Sequence, residues 1–184
     1  MKEYPNIMLL SGTGRNVGKT SFVCRLLKHF HEQTITTVKV SPHWHEVKQG
    51  RILMHDPGKL MLVQENDAES NKDTSRMLRC GAREVFYLQH TSDEALLKGF
   101  HYLMTGRKSP EPMIIETAIL GKYISPALHF RITRIDAEPS TKKVIDVPID
   151  ELIHFNGREF DLSPSSINWE DNKWIYRKGP VSGE

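Results

Sequence analysis

Ile7-Met8-Leu9-Leu10-Ser11-Gly12-Thr13-Gly14-Arg15-Asn16-Val17-Gly18-Lys19-Thr20-Ser21-Phe22 passes from an apolar run, through a glycine-containing turn, into Gly-Lys-Thr at the head of an amphipathic segment. Strand, loop and helix in that order are what a triphosphate-binding P-loop needs. The loop must turn its backbone N–H groups inward around phosphates, and small residues let the chain come that close. The helix start adds unpaired donors and the positive end of its dipole. Lys19 is expected to reach the β- and γ-phosphates, and the Thr20 hydroxyl to ligate Mg²⁺. In the pattern G-x-x-x-x-G-K-[ST] the first glycine would fall on Thr13, which Gly12 and Gly14 flank. The loop therefore reads as one residue longer, from Gly12 to Gly18. Its expected nucleotide contacts are Gly12, Thr13, Gly14, Arg15, Asn16, Val17, Gly18, Lys19, Thr20 and Ser21.

Composition agrees with one globular domain. The chain has 184 residues, 38% of them hydrophobic and 26% charged, with a formal net charge of +2. That length supports a real core. The charge is too small to argue for nucleic acid or an anionic membrane as partner. No apolar run approaches the roughly 20 residues that span a bilayer, and the apolar stretch after Pro5 is too short for a secretory signal. Cys24 and Cys80 make neither a disulfide framework nor a metal cluster. A cytoplasmic location is the expectation.

Outward from the loop, helices and strands alternate. Val23, Leu26, Leu27 and Phe30 recur at helical spacing from Gly18 to about Glu32. Thr34 to Val40 is β-branched and strand-like. Ser41 to Lys72 is a long polar stretch with few periodic signals. Asp73 to Gly81 reads as a short helix with Asp73 as its N-cap and Gly81 as its stop. Glu84 to Gln89 reads as a buried strand, and Ser92 to Met104 as a helix capped by Ser92. Pro112 to Glu116 is another short apolar strand. This alternation implies right-handed crossovers and a mainly parallel sheet covered on both faces.

From Ala127 the pattern changes. Leu128, Phe130 and Ile132 alternate with His129, Arg131 and Thr133, the period of a half-exposed strand. Lys142 to Phe155 is β-rich, Asn156-Gly157 signals a hairpin turn, and Asn168 to Arg177 suggests two last strands. The expected fold is α/β, a three-layer P-loop NTPase with a mainly parallel sheet and an antiparallel C-terminal addition. Residues 1–135 form the nucleotide-binding core and 136–184 a β-rich extension of the same domain, with Gly179 to Glu184 frayed.

Ligands in such sheets sit at the carboxyl ends of the strands, which selects the first loop, the segment after Val40, and Glu116. A carboxylate there suits Mg²⁺ or its water shell; the other reading is a solvated strand end. Asp73 is a second metal candidate or simply a helix cap. Lys39 could neutralise a γ-phosphate or bind a second substrate. The expected catalytic set is Lys19, Lys39 and Glu116, and the metal set Thr20, Glu116 and Asp73. His43 and His45 have no third ligand nearby, so they read as phosphate-facing or surface residues rather than a zinc site. Both cysteines read as packed. The segment His43 to Lys59, with the turn signal Asp56-Pro57-Gly58, reads as a loop that orders over a bound nucleotide, its cations His43, His45, Lys48, Arg51, His55 and Lys59 facing the phosphates or a second anionic substrate.

Taken together these residues resemble the MobB family, the nucleotide-binding adaptors of molybdopterin-guanine dinucleotide biosynthesis. The counterparts are Gly12 to Thr20, then Val38-Lys39-Val40-Ser41-Pro42-His43-Trp44-His45, Lys72-Asp73-Thr74-Ser75 with Cys80-Gly81-Ala82, and Ile114-Ile115-Glu116-Thr117. They stand in consistent order over roughly positions 6 to 135. The family's glycine after the glutamate is Thr117 here, and Ser41-Pro42 interrupts its Lys-His pair. The longer loop is similar instead to dethiobiotin synthetase, which also carries a lysine after its second strand and a metal-binding glutamate after a later one.

The first resemblance implies a slow, Mg²⁺-dependent GTPase serving molybdenum cofactor assembly. The second implies an ATP-dependent enzyme that activates a small substrate, and a third reading is a non-catalytic, nucleotide-gated interaction module. GTP or ATP is the expected ligand, because Asn71-Lys72-Asp73 lacks the guanine motif's spacing and the base is not readable. The expected partners are the nucleotide, a cofactor-biosynthesis protein and a second copy in a homodimer, with no nucleic acid and no membrane.

Overall fold

The computed structural model describes residues 1–47, 49–107, 110–136, 138 and 144–178. Among these, eight strands form one sheet: β1 (Lys2–Gly12), β2 (Thr36–Ser41), β3 (Arg51–Asp56), β4 (Leu60–Gln64), β5 (Glu84–His90), β6 (Met113–Glu116), β7 (Ile124–Arg134) and β8 (Glu151–Phe155). Their spatial order is β3-β4-β5-β2-β6-β1-β7-β8. The six from β5 to β8 in that order run parallel, and β3 and β4 add an antiparallel edge. The helices are α1 (Lys19–His29), α2 (Asp73–Arg79) and α3 (Asp93–Thr105), and β9 (Ile167–Glu170) and β10 (Lys173–Tyr176) form a separate antiparallel hairpin.

Alternation along β1 builds both layers. Met8 and Leu10 point into the core beneath α1 and α2, which also receives Phe22, Leu26, Met77, Phe130 and Trp174. Ile7 and Leu9 point to the opposite core, beneath α3, with Val38, Leu62, Leu88 and Phe100. On α1 the buried residues Phe22, Val23, Leu26 and Leu27 make one stripe, and each such side chain contributes roughly 1.5–3 kcal/mol when removed from water. Ser92 caps α3 by accepting from the Ala95 N–H, as its sequence predicts.

The α/β class and the mainly parallel sheet agree with the sequence reading, and three differences stand out. The polar stretch after Ser41 is not one long loop, since β3 and β4 form a hairpin turned at Asp56–Lys59, with Gly58 at φ 69°. The antiparallel C-terminal addition is the β9–β10 hairpin alone, turned by Asp171 and Asn172 at positive φ, because β7 and β8 extend the parallel sheet. Pro126 lies opposite Tyr4 of β1, in the part of β7 that β8 does not reach. Asp73 is the first residue of α2 rather than its cap, which is Lys72. The Asn156-Gly157 turn does form, with Asn156 Oδ1 accepting from the Arg158 and Glu159 N–H groups. The Gly179–Glu184 tail lies outside the described residues. Among the described residues no helix is long and apolar enough to cross a membrane.

Candidate functional site

Sheet order brings the selected residues together. β6 lies between β2 and β1, and in register Glu116 faces Lys39 on one side and Leu10 on the other. The loop after β1 thus begins beside the carboxyl end of β6. Thr13 anchors it to the neighbouring strand, its N–H donating to Ile132 O at 3.0 Å and its hydroxyl to Thr133 Oγ1 at 3.1 Å.

Two glycines are needed for the loop's path. A Cβ on Gly12 would stand 2.7 Å from Val17 Cγ2 and 2.9 Å from Lys19 Cδ. Gly18 has φ 98°, and a Cβ there would strike the Phe155 ring at 2.7 Å. Asn16 also adopts positive φ, which asparagine tolerates better than most residues. Lys19 Nζ donates to Gly14 O at 2.9 Å, so the lysine folds back along the loop. No side chain caps the start of α1 and no acid sits in its first turn, a combination that leaves the helix's N-terminal field suited to an anion.

Beside the loop stands a charged cluster. Thr20 Oγ1 donates to Glu116 Oε2 at 2.9 Å, and both residues are buried. Lys39 Nζ lies 3.4 Å from Glu116 Oε1 and also donates to Asp73 Oδ2. Burial alone would lower the Lys39 pKa, but the Glu116 and Asp73 carboxylates outweigh it and hold it above the usual 10.5. Burial likewise opposes ionisation of Asp73, yet Lys39, Arg76 and Thr20 keep its pKa below the usual 3.8. Lys39 and Asp73 are therefore both charged throughout the neutral range.

The oxygens available for a metal here are a hydroxyl and two carboxylates, hard donors of the kind Mg²⁺ takes. Among the described residues no three His, Cys, Asp or Glu side chains cluster closely enough to cage a cation by themselves.

A cavity of about 620 Å³ opens over the loop, lined among others by Asn16, Lys19, Thr20, Arg76, Glu116 and Arg134. Arg76 and Arg134 were not singled out from the sequence. Arg76 follows Asp73 by three positions on α2 and pairs with it at 3.5 Å. Arg134 ends β7, where the carboxyl-end rule would have found it, and donates to Asn16 O at 3.4 Å. His43 and His45 line this cavity too, whereas Arg51, His55 and Lys59, carried away on the hairpin, do not; Lys48 lies outside the described residues. A second cavity, about 270 Å³, lies across Lys39 and Asp73, which line both. The cysteines are packed as expected: burial and the adjacent Cys80 push the Cys24 thiol up to about 12, so it is inert at neutral pH.

Comparison with protein families, with curated proteins and with solved structures finds no match to this chain.

Proposed function

We propose that this chain binds a nucleoside triphosphate with Mg²⁺ over the Gly12–Gly18 loop and hydrolyses it slowly. The observation that carries the reading is the loop's glycine-dependent path ending at Lys19, set beside the hydrogen-bonded pair Thr20 and Glu116. Loop N–H groups and the start of α1 would hold the phosphate oxygens. Lys19 would exchange Gly14 O for the β- and γ-phosphates, a charge-assisted bond in place of a neutral one. Thr20, Glu116 and Asp73 would hold Mg²⁺, which supplies charge neutralisation as the terminal phosphate leaves. Lys39 and Arg76 stand where they would offset the remaining negative charge. Serving molybdenum cofactor assembly as a GTPase, like the MobB proteins it resembles, is the first form of this proposal.

The second form, an ATP-dependent enzyme of the dethiobiotin synthetase type, is favoured by the cavity across Lys39, since such an enzyme needs an enclosed second pocket beside the γ-phosphate. Thermal denaturation with ATP, GTP and their diphosphates, each with Mg²⁺, tests the nucleotide reading. At 100 times its Kd a ligand stabilises by about 2.7 kcal/mol, and no shift with any of the four overturns the proposal.

A further inference from the structure

The second cavity has a lining that selects a chemical class. It contains two cations, Lys39, already paired with Asp73 and Glu116, and Lys72, and the carboxylates of Glu46, Glu65 and Asp73. Its apolar surface comes from Val47, Val63 and the Tyr87 ring. Glu65 is buried and held by neutral donors: Thr74 Oγ1 at 2.6 Å and the Asn66 and Asp67 N–H groups at 3.2 and 3.1 Å. These bonds fix the orientation of its carboxylate, an acceptor in the cavity wall for a ligand's donor. Lys72 is exposed and forms no ion pair among the described residues.

A ligand bearing one charge would use only half of this lining. We propose that the cavity binds a small zwitterion with an apolar body, of the α-amino acid class. Its carboxylate meets Lys39 and Lys72, its ammonium meets Glu65, and its side chain packs against Val47, Val63 and Tyr87. The volume agrees: 270 Å³ is about nine water volumes at ~30 Å³ each, room for a molecule the size of leucine. Tyr87 also offers a ring face to the ammonium. Lys39 is common to this cavity and to the one over the loop, so the zwitterion's carboxylate lies next to the terminal phosphate. Its role as second substrate rests on the nucleotide reading; the binding itself does not.

The test is calorimetry on the full chain with L-leucine and its two halves, isoamylamine, which lacks the carboxylate, and 4-methylpentanoate, which lacks the amine. Leucine should bind about tenfold or more tighter than either half, the scale of one charge-assisted hydrogen bond. Lys72→Ala, on the surface, should weaken leucine severalfold while leaving isoamylamine unchanged. Val47→Trp, which fills the cavity from an irregular segment, should abolish binding of all three. Either half binding as tightly as leucine overturns the proposal, and so does unchanged leucine binding in Val47→Trp. ATP and GTP are titrated in parallel. Leucine binding without nucleotide binding upholds the cavity and sinks the P-loop reading; nucleotide binding without leucine binding does the reverse.

Discussion

The two cavities that meet at Lys39 are made from different materials. The larger is shaped by backbone: a loop held open at Gly12 and Gly18, a helix start without a capping side chain, and strand ends. The smaller is shaped by side chains from β2, β4, β5, α2 and the segment before β3. Backbone surroundings suit phosphate, which every nucleotide carries, whereas side-chain surroundings discriminate among ligands. One can change by substitution with little effect on the other, except at the residues they share.

Lys19→Ala should make the largest difference between them. Losing two charge-assisted bonds of about 1.5–3 kcal/mol each weakens triphosphate binding by 100-fold or more, with leucine binding and the thermal midpoint unchanged. Unchanged ATP and GTP binding in the folded variant removes the P-loop assignment.

Glu116→Gln should come next. The amide can still accept from Thr20 but carries no charge, so Mg²⁺-dependent turnover should fall by about 10–100-fold. Nucleotide binding without Mg²⁺ should change far less. Equal loss of binding with and without the ion would assign Glu116 a structural task instead.

Lys39→Met acts on the shared wall. It leaves Glu116 buried without its cation and should cost about 1–3 kcal/mol in chemical denaturation, while weakening ligands in both cavities. A variant that loses only one of the two ligands would show that the cavities are not joined there.

Acid should have the smallest effect on stability. His90 and His129 are buried, and burial lowers both pKa values, with Arg131 adding to the effect at His129. Unfolded imidazoles take up protons near 6.5 while the folded ones resist. Stability is therefore complete above that pH and declines as pH falls below it, by at most ~1.4 kcal/mol per pH unit for each proton. Neither histidine lines either of these two cavities. Denaturation midpoints at pH 7.5 and 5.5 measure the loss, which His129→Gln should reduce.

Legibility followed the same division. The loop, α1, β2, β5, β6 and α3 were readable because each has a local cause: a glycine pattern, a helical stripe, an apolar run or a capping serine. The β3–β4 hairpin was not. As an edge strand β3 buries none of its residues fully. Its apolar Ile52-Leu53-Met54 sits between charged and polar neighbours without alternation, so it carries no strand period, and the buried run Leu60–Val63 beyond the turn was passed over with it. The direction of β7 and β8 depends on which strand lies alongside, and alternation carries no information about that. Asp73 stays open between metal ligand and cap in the sequence because its partner, Lys39, is 34 residues away, and only the sheet brings them together. The second cavity needs the hairpin, so it was invisible for the same reason.

Phe155 fills the space beneath Gly18, and the Trp174 indole donates to Asn6 O within the first strand, a separation of 168 residues. An earlier part of the chain is therefore supported by a part made much later. At synthesis rates of ~5–20 residues per second, the nascent loop waits roughly 10–30 s for its supports. During that interval the apolar first strand has neither of its eventual neighbours, β6 and β7, for much of the time, and this is when the chain most needs protection from premature association.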